Sequence, residues 1–399
     1  MKGAGDTRLL RLLNGQRIVD VMFDAAPGGF SRAHIARVTG LSKPTVSSLV
    51  GDLEAAGLVR RSEAAPPSRA LPAGRPAVMY EVVPESGFVV AADIGATKII
   101  VGVADLLGNV VAEQVLPTGP DAQSAVRTLA TTAHEMLAEL GGTAGAACVG
   151  VPGIYRSDTD RVERALNLPG FAELDVSARL VELLGVTVHV DNDVNLAALG
   201  EAEHADDDRD ATDFAAISVG TGIGMGLIVD GEMYRGGTGA AGEIGSLILR
   251  AVPGDPGSVL TLEDVVAASA IRKDFGRALE AGHSSALAAD ADVPEILAAA
   301  ALSDPAATAV LTDAAGAMAT AVACLALVTD PQRVVLGGGI GANPVFVQAI
   351  NDELRRRSAE HVEVVASTLG PRAAFLGAVS RALRDLHDTL VAVHLGDNR

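Results

Sequence analysis

Apolar residues recur at helical spacing near the start of the chain. In "GQRIVDVMFDA", Ile18, Val19, Met22 and Phe23 share one face, which predicts a packed helix. "SRAHIARVTGLS" follows, with Ser31 as N-cap, Ile35 and Val38 apolar, and Gly40 suited to a sharp turn. "SKPTVSSLVGDLEAAGLV" predicts a further helix. Ser42 caps it, Pro44 fits its first turn, Val46, Leu49, Val50 and Leu53 form its buried stripe, and Gly57 ends it. Two short helices joined through Thr39-Gly40-Leu41 make a helix-turn-helix. Strand-like ends at Leu58-Val59 and Val78 to Val83 flank a Pro/Gly/Arg-rich loop, which reads as a wing; Pro84 to Gly87 reads as a hinge.

Beyond the hinge the pattern changes. Apolar β-branched runs alternate with longer helical periods, which predicts an α/β body with mixed sheets. Strands are expected at 88–92, 99–104, 110–116, 147–151, 187–190, 214–219 and 334–336. Helices are expected at 122–140, 178–184, 262–280, 306–328, 344–357 and 373–387. With 399 residues the chain exceeds one ordinary core. The expected division is a head over 1–83, a hinge over 84–87, and a two-lobed body over 88–399.

Charge sharpens this division. The net charge of −19 is wrong for a nucleic-acid binder taken whole. Yet residues 1–83 hold 11 Lys and Arg against 7 Asp and Glu, and the remainder holds 20 against 43. A basic head on an acidic body suits DNA contact through the head alone. The head's candidate DNA contacts are Ser31, Arg32, Ser42, Lys43, Pro44, Thr45 and Ser48, with Arg69 and Arg75 in the wing. The "GRP" of Gly74 to Pro76 suits insertion of Arg75 into a minor groove. An ordinary helical hairpin followed by a cationic linker would satisfy the same pattern.

The two cysteines, Cys148 and Cys324, both sit in apolar runs and read as buried thiols, which points to a reducing compartment. The N-terminus lacks an apolar core segment, so no signal peptide is expected and the location expected is cytoplasmic. "AAGAMATAVACLALVT", Ala314 to Thr329, reads as a buried helix rather than a membrane span. No membrane partner is expected.

Three glycine turns stand at strand ends. "ADIGATKIIVGVAD" places Asp93 before Gly95-Ala96-Thr97, in a strand-turn-strand pattern able to aim backbone N–H groups at a phosphate. Gly220-Thr221-Gly222 and Gly337-Gly338-Gly339 follow two further strands. Any one such turn is ordinary architecture; three of them, with an Asp at the first, favour a nucleotide-type cleft. In "VDNDVNLAALGEAE" a strand ends and a helix begins, and Asp193 is placed to accept a proton from a substrate hydroxyl. The same Asp and Asn residues suit a helix N-cap cluster, and local sequence does not choose between the two.

Taken in order, these motifs resemble the ROK family of bacterial repressors, open-reading-frame proteins and sugar kinases, over nearly the whole chain. The winged head resembles that of the family's regulators of sugar metabolism. The resemblance implies a two-domain actin/hexokinase-like (ribonuclease H-like) body. It further implies a phosphate motif at Asp93, Gly95, Thr97 and Lys98, a second phosphate loop at Gly220, Thr221 and Gly222, and an adenosine-side loop at Gly337, Gly338 and Gly339. Asp193 matches the catalytic base of the kinases, and Asn167, Asn192, Asp193, Glu243 and Glu263 match sugar-binding positions. Carboxylates and amides suit a polyol, since each accepts or shares a hydroxyl hydrogen bond.

The departures matter as well. Ala96 stands where the family carries a second Gly or a Thr, and its Cβ crowds the phosphate site. Ser246 replaces a family His, and "LILRAVPGDPGSVLT" lacks the family's zinc-binding cysteines. No cofactor is therefore expected to be required and no structural zinc is expected, with ATP and Mg called for only by an active kinase. The leading expectation is a sugar-responsive DNA-binding regulator, of repressor type, acting as a homodimer or higher oligomer on double-stranded operator DNA. The alternatives are an ATP-dependent, glucokinase-like sugar kinase with an added head, and a regulator answering to a protein partner.

Overall fold

The head forms because short apolar periods are stopped by residues suited to stopping them. The computed structural model describes residues 4–26, 28–62, 78–156, 159–163, 168–204, 211–251, 258–357 and 362–395. The chain begins with α1 (Ala4–Asp24), β1 (Phe30–Ser31), α2 (Arg32–Thr39), α3 (Lys43–Ala55), β2 (Val59–Arg61) and β3 (Met79–Val82). Ser31 caps α2 by accepting from the His34 N–H at 3.1 Å, and Gly40 ends it at φ +71°, a conformation a Cβ disfavours. Ile18, Val19, Met22, Ile35, Val46, Leu49, Val50 and Leu53 are all buried. The wing is a three-stranded sheet of order β1-β3-β2. Its two-residue first strand escaped the sequence pattern because so short a segment has no period to read. Arg69 and Arg75 lie outside the described residues.

A 3₁₀ turn at Pro84–Ser86 leads into β4 (Phe88–Ile94), β5 (Lys98–Asp105), β6 (Val110–Pro117), α4 (Ala122–Leu140) and β7 (Ala144–Val151). The chain continues through β8 (Ile154–Arg156), β9 (Arg161–Glu163), α5 (Val176–Leu184), β10 (Thr187–Asn192), α6 (Asp193–His204), β11 (Phe214–Val219), β12 (Ile223–Val229) and β13 (Glu232–Met233). Next come β14 (Ile248–Ala251), β15 (Val259–Thr261), α7 (Glu263–Val266), α8 (Ala268–Glu280), α9 (Val293–Ala301) and α10 (Pro305–Thr329). The last elements are β16 (Arg333–Gly337), α11 (Gly338–Gly341), α12 (Pro344–Arg356), β17 (Glu363–Ala366) and α13 (Ala373–Leu395).

The chain separates into two compact units, one of Met1–Val149, Leu168–Val190 and Val379–Arg399, the other of Gly150–Asn167 and Asp191–Ala378. The first holds the head and most of a sheet of order β10-β7-β4-β5-β6. Within it the end of α13 packs on α1. The Phe23 ring stacks on His387 at 3.8 Å, and Arg11 Nε donates to the Leu395 carbonyl at 2.8 Å. The second holds a sheet of order β13-β12-β11-β16-β17, in which β11, β16 and β17 run parallel and β12 antiparallel. Its core joins Ile217, Val219, Phe275, Met318, Leu336 and Phe346.

Two expectations change. The helix expected over 262–280 is two helices, because Ala267 is extended (ψ 158°); the break lets the Ala268 N–H donate to the Gly220 carbonyl at 2.9 Å. Cys148 is buried but Cys324 is exposed, since it lies on the side of α10 away from Val322 and Ala326. The apolar run before Thr329 belongs to a 25-residue helix, long and apolar enough to cross a membrane by length and composition. Here its Ala306, Val310, Ala314, Met318 and Val322 face is built into the core of the second unit.

Candidate sugar and DNA sites

The strongest chemistry gathers where β10 gives way to α6. Asn192 caps the helix, its Oδ1 accepting from Val194 N at 2.9 Å and Asn195 N at 3.1 Å. Its Nδ2 donates to the Gly153 carbonyl at 2.7 Å, so this amide is largely committed to holding the turn. Asp191, 6% exposed, accepts at Oδ1 from Asn192 N (2.8 Å) and Asn195 Nδ2 (3.0 Å). Its Oδ2 pairs with the Arg235 guanidinium.

Asp193 is held differently. Its Oδ1 accepts from Val194 N at 2.9 Å. Burial pushes its carboxyl up to about 6, backbone hydrogen bonds oppose the rise, and the negative charge of Glu243 adds to it. Asp193 and Glu243 are thus electrostatic neighbours, a carboxylate pair on two separate segments. A carboxylate poised near 6 is well placed to take a proton from a hydroxyl or to accept its hydrogen bond near neutral pH.

Glu263 closes the arrangement. Its Oε2 accepts from Ile223 N at 3.0 Å, and an added Cβ at Gly222 or Gly245 would stand 3.1 Å from that oxygen. It therefore braces the Gly220–Gly222 turn as well as facing the Glu243 loop. Ser246 ends the 3₁₀ turn that follows Glu243. Asn167 lies outside the described residues. Between Leu247 and Leu262 the sequence has neither Cys nor His, so the donors a structural zinc needs are not in that segment.

Two glycine turns are neighbours. β11 and β16 pair in parallel with Ser218 opposite Gly337, so Gly220–Gly222 and Gly337–Gly339 leave the same edge of one sheet. Gly338 has φ +77°, and a Cβ there would lie 2.4 Å from the Val219 carbonyl oxygen, so glycine is required for the close approach. In the first unit, Asp93 sits near the end of β4 and the Gly95 turn leads antiparallel into β5. Gly95 N donates to Lys98 O at 2.9 Å, the Thr118 hydroxyl donates to Gly95 O at 2.7 Å, and Thr97 and Lys98 are exposed.

On the head, Ser42 caps α3, accepting from Thr45 N at 3.3 Å and sharing a hydrogen bond with the Thr45 hydroxyl at 2.8 Å. Lys43, Pro44 and Ser48 are exposed beside it. Arg32 is engaged inside the head, 5.0 Å over the Tyr80 ring and 3.5 Å from Glu54. The Asp191–Arg235 pair is not legible in "VDNDVN" itself. Its signal was an arginine in an otherwise glycine-rich loop, with nothing local to name its partner.

Residues 89–384 match the ROK family model, and residues 22–70 match that of the MarR family. The chain belongs to the ROK family. A xylose repressor from Caldicellulosiruptor bescii is 24% identical over 399 aligned residues, covering 96% of this chain and 98% of that protein. A glucokinase from Halalkalibacterium halodurans is 29% identical, covering 72% of this chain and 92% of its own. Among solved structures, a ROK family transcriptional regulator described as a homolog of E. coli MLC protein superposes with a TM-score of 0.79. It is 21% identical and covers 98% of this chain and all of its own. That likeness shows the fold: a MarR-type winged helix followed by an actin/hexokinase-like ROK body.

Proposed function

We propose that the protein is a sugar-responsive DNA-binding repressor of carbohydrate genes. The observation that carries this reading is that a repressor aligns over 96% of this chain, head included, while the glucokinase aligns over only 72% of it. The recognition surface is α3, with Lys43, Pro44, Thr45 and Ser48 presented near its N-terminus, where backbone N–H groups favour phosphate. Arg69 and Arg75 are further basic candidates for contact with the DNA backbone or minor groove. The effector is an aldose or close derivative, held by Asp193 and Glu243 with Asn192 and Glu263, and Asn167 is a further candidate from the sequence. Ionised carboxylates are strong acceptors for sugar hydroxyls. Binding of sugar changes the affinity of the head for its operator by linkage between the two sites. A two-fold operator calls for a homodimer, and DNA contact places the protein in the cytoplasm. No structural zinc is involved.

A second reading, an ATP-dependent sugar kinase with an added head, is favoured by one observation: the poised Asp193 is the proton acceptor such a transfer requires. The candidate nucleotide positions would then be Asp93, Gly95, Thr97 and Lys98 in the first unit and, separately, the two neighbouring glycine turns in the second. Thermal unfolding against xylose, glucose, their phosphates and ATP-Mg separates the readings, since a ligand of the native state raises the midpoint. A rise with a free sugar, lost in Asp193→Asn, supports the sensor. A rise with ATP-Mg accompanied by phosphotransfer supports the kinase.

A further inference from the structure

Arg235 follows β13 in a loop, residues 235–243, that carries four glycines and ends at Glu243. The loop closes on itself where Ala241 N donates to Arg235 O at 3.3 Å. Its far end is fixed to the sheet, where Met225 N donates to Gly242 O at 3.0 Å. Gly236 and Gly242 lie at φ +72° and +94°. So glycine-rich a segment has little intrinsic stiffness. The Arg235 side chain crosses 44 positions of sequence to the carboxylate of Asp191. Asp191 is nearly buried and also binds Asn192 N and Asn195 Nδ2, the first turn of the helix that begins with Asp193.

We propose that Arg235 is a positioning residue. Acting through Asp191, it ties the near end of the Glu243 loop to the start of α6, while Gly242 fixes the far end to the sheet, and so holds the first turn of α6, with Asp193, against that loop. The proposal deepens the sugar-site reading and rests on it for its purpose, but not for its geometry. A buried carboxylate with partners on two segments is a rigid joint, and removing the arginine takes away a cation that balances its charge. Arginine suits this place because its planar fork loses little freedom per hydrogen bond formed.

The test uses the full chain without ligand. Aspartate labelled with ¹³C at the side-chain carboxyl reports the Asp193 titration, assigned by its loss in Asp193→Asn. The double variant Asp191→Asn, Arg235→Gln removes the ion pair and leaves the local net charge unchanged. If the pair holds that contact, releasing it lets the start of α6 part from the loop; Asp193 gains solvent, lost burial being the larger cause and a weaker Glu243 charge the smaller, and its midpoint falls from about 6 toward the ordinary range of Asp. Arg235→Lys, which keeps the charge and one hydrogen bond, holds the midpoint near the wild-type value. Amide exchange over residues 236–242 gives a second readout, in Arg235→Gln alone: at least about tenfold faster exchange is expected from a released loop. An unchanged midpoint in the double variant, or unchanged exchange in Arg235→Gln, overturns the proposal. A moved midpoint in a protein that binds no sugar would refute the sugar reading and leave the positioning role standing.

Discussion

The recognition face of α3 and the polar turn at the start of α6 are both helix N-termini, and they are built in opposite ways. At α3, Ser42 satisfies the cap while Lys43, Pro44 and Ser48 project without packing. At α6, Asp191, Asn192 and Asn195 bind one another, Gly153 and Arg235. An open face suits a partner that brings its own hydrogen-bonding groups, as DNA does. An interlocked one suits a small ligand whose few hydroxyls must find acceptors already in place.

Glycine substitution breaks that contrast most severely. Gly338→Ala, at φ +77° with backbone 2.4 Å from the new Cβ, is expected to destabilise the protein by about 3 kcal/mol or more. Gly40→Ala in the head turn, at φ +71° but with nothing within 4 Å, is expected to cost only about 1 to 2 kcal/mol. Chemical denaturation of both variants checks the difference; equal losses would mean the close packing around Gly338 contributes nothing.

Asp193 gives the next largest effect. Its folded carboxyl titrates near 6, above the unfolded value of 3.8, so the folded state holds the proton more tightly. The stability this contributes is complete below about pH 4 and is lost as pH rises through 6. Asp193→Asn, which can still accept from Val194 N, is therefore expected to be more stable than wild type by about 2 kcal/mol at pH 7.5, and no more stable at pH 4. It is also expected to lose the sugar response. A variant less stable than wild type at pH 7.5 would contradict the buried-carboxylate account.

Lys43→Gln probes the open side. It is expected to weaken DNA binding about three- to tenfold, to reduce the slope of log affinity against log salt by about 1, and to leave sugar binding untouched. An unchanged slope in a salt titration would remove Lys43 from the phosphate contacts. The smallest expected effect is at His387, stacked on Phe23, where burial holds the imidazole below its usual pKa. This contribution is present above pH 6.5 and is lost as pH falls through the folded value, so amides of α1 should exchange faster in mild acid. His387→Phe should abolish that pH dependence.

How much the sequence foretold follows the same contrast. Periodicity marks a helix through its own stripe, so Val46, Leu49, Val50 and Leu53 identified α3, and 122–140 identified α4 with both ends. The turns also announced themselves through Ser31, Gly40 and Ser42. The candidate site was legible as separate fragments, among them Asp193, Glu243 and Gly220–Gly222. What joins them was not, because Arg235–Asp191, Glu263–Ile223 and Asn192–Gly153 are 44, 40 and 39 residues apart in the chain. No local window contains both members of such a pair. Local pattern likewise predicted one helix over 262–280, where a tertiary hydrogen bond to Gly220 O accompanies a break at Ala267.

The most direct test of the central claim is the affinity of the full chain for a duplex selected from a random-sequence pool, measured as the stabilising sugar is titrated in at fixed salt. The account predicts that saturating sugar weakens binding at least about tenfold, and that Asp193→Asn binds the duplex as well as wild type does with no response to sugar. Affinity that stays constant while the sugar is demonstrably bound would contradict it.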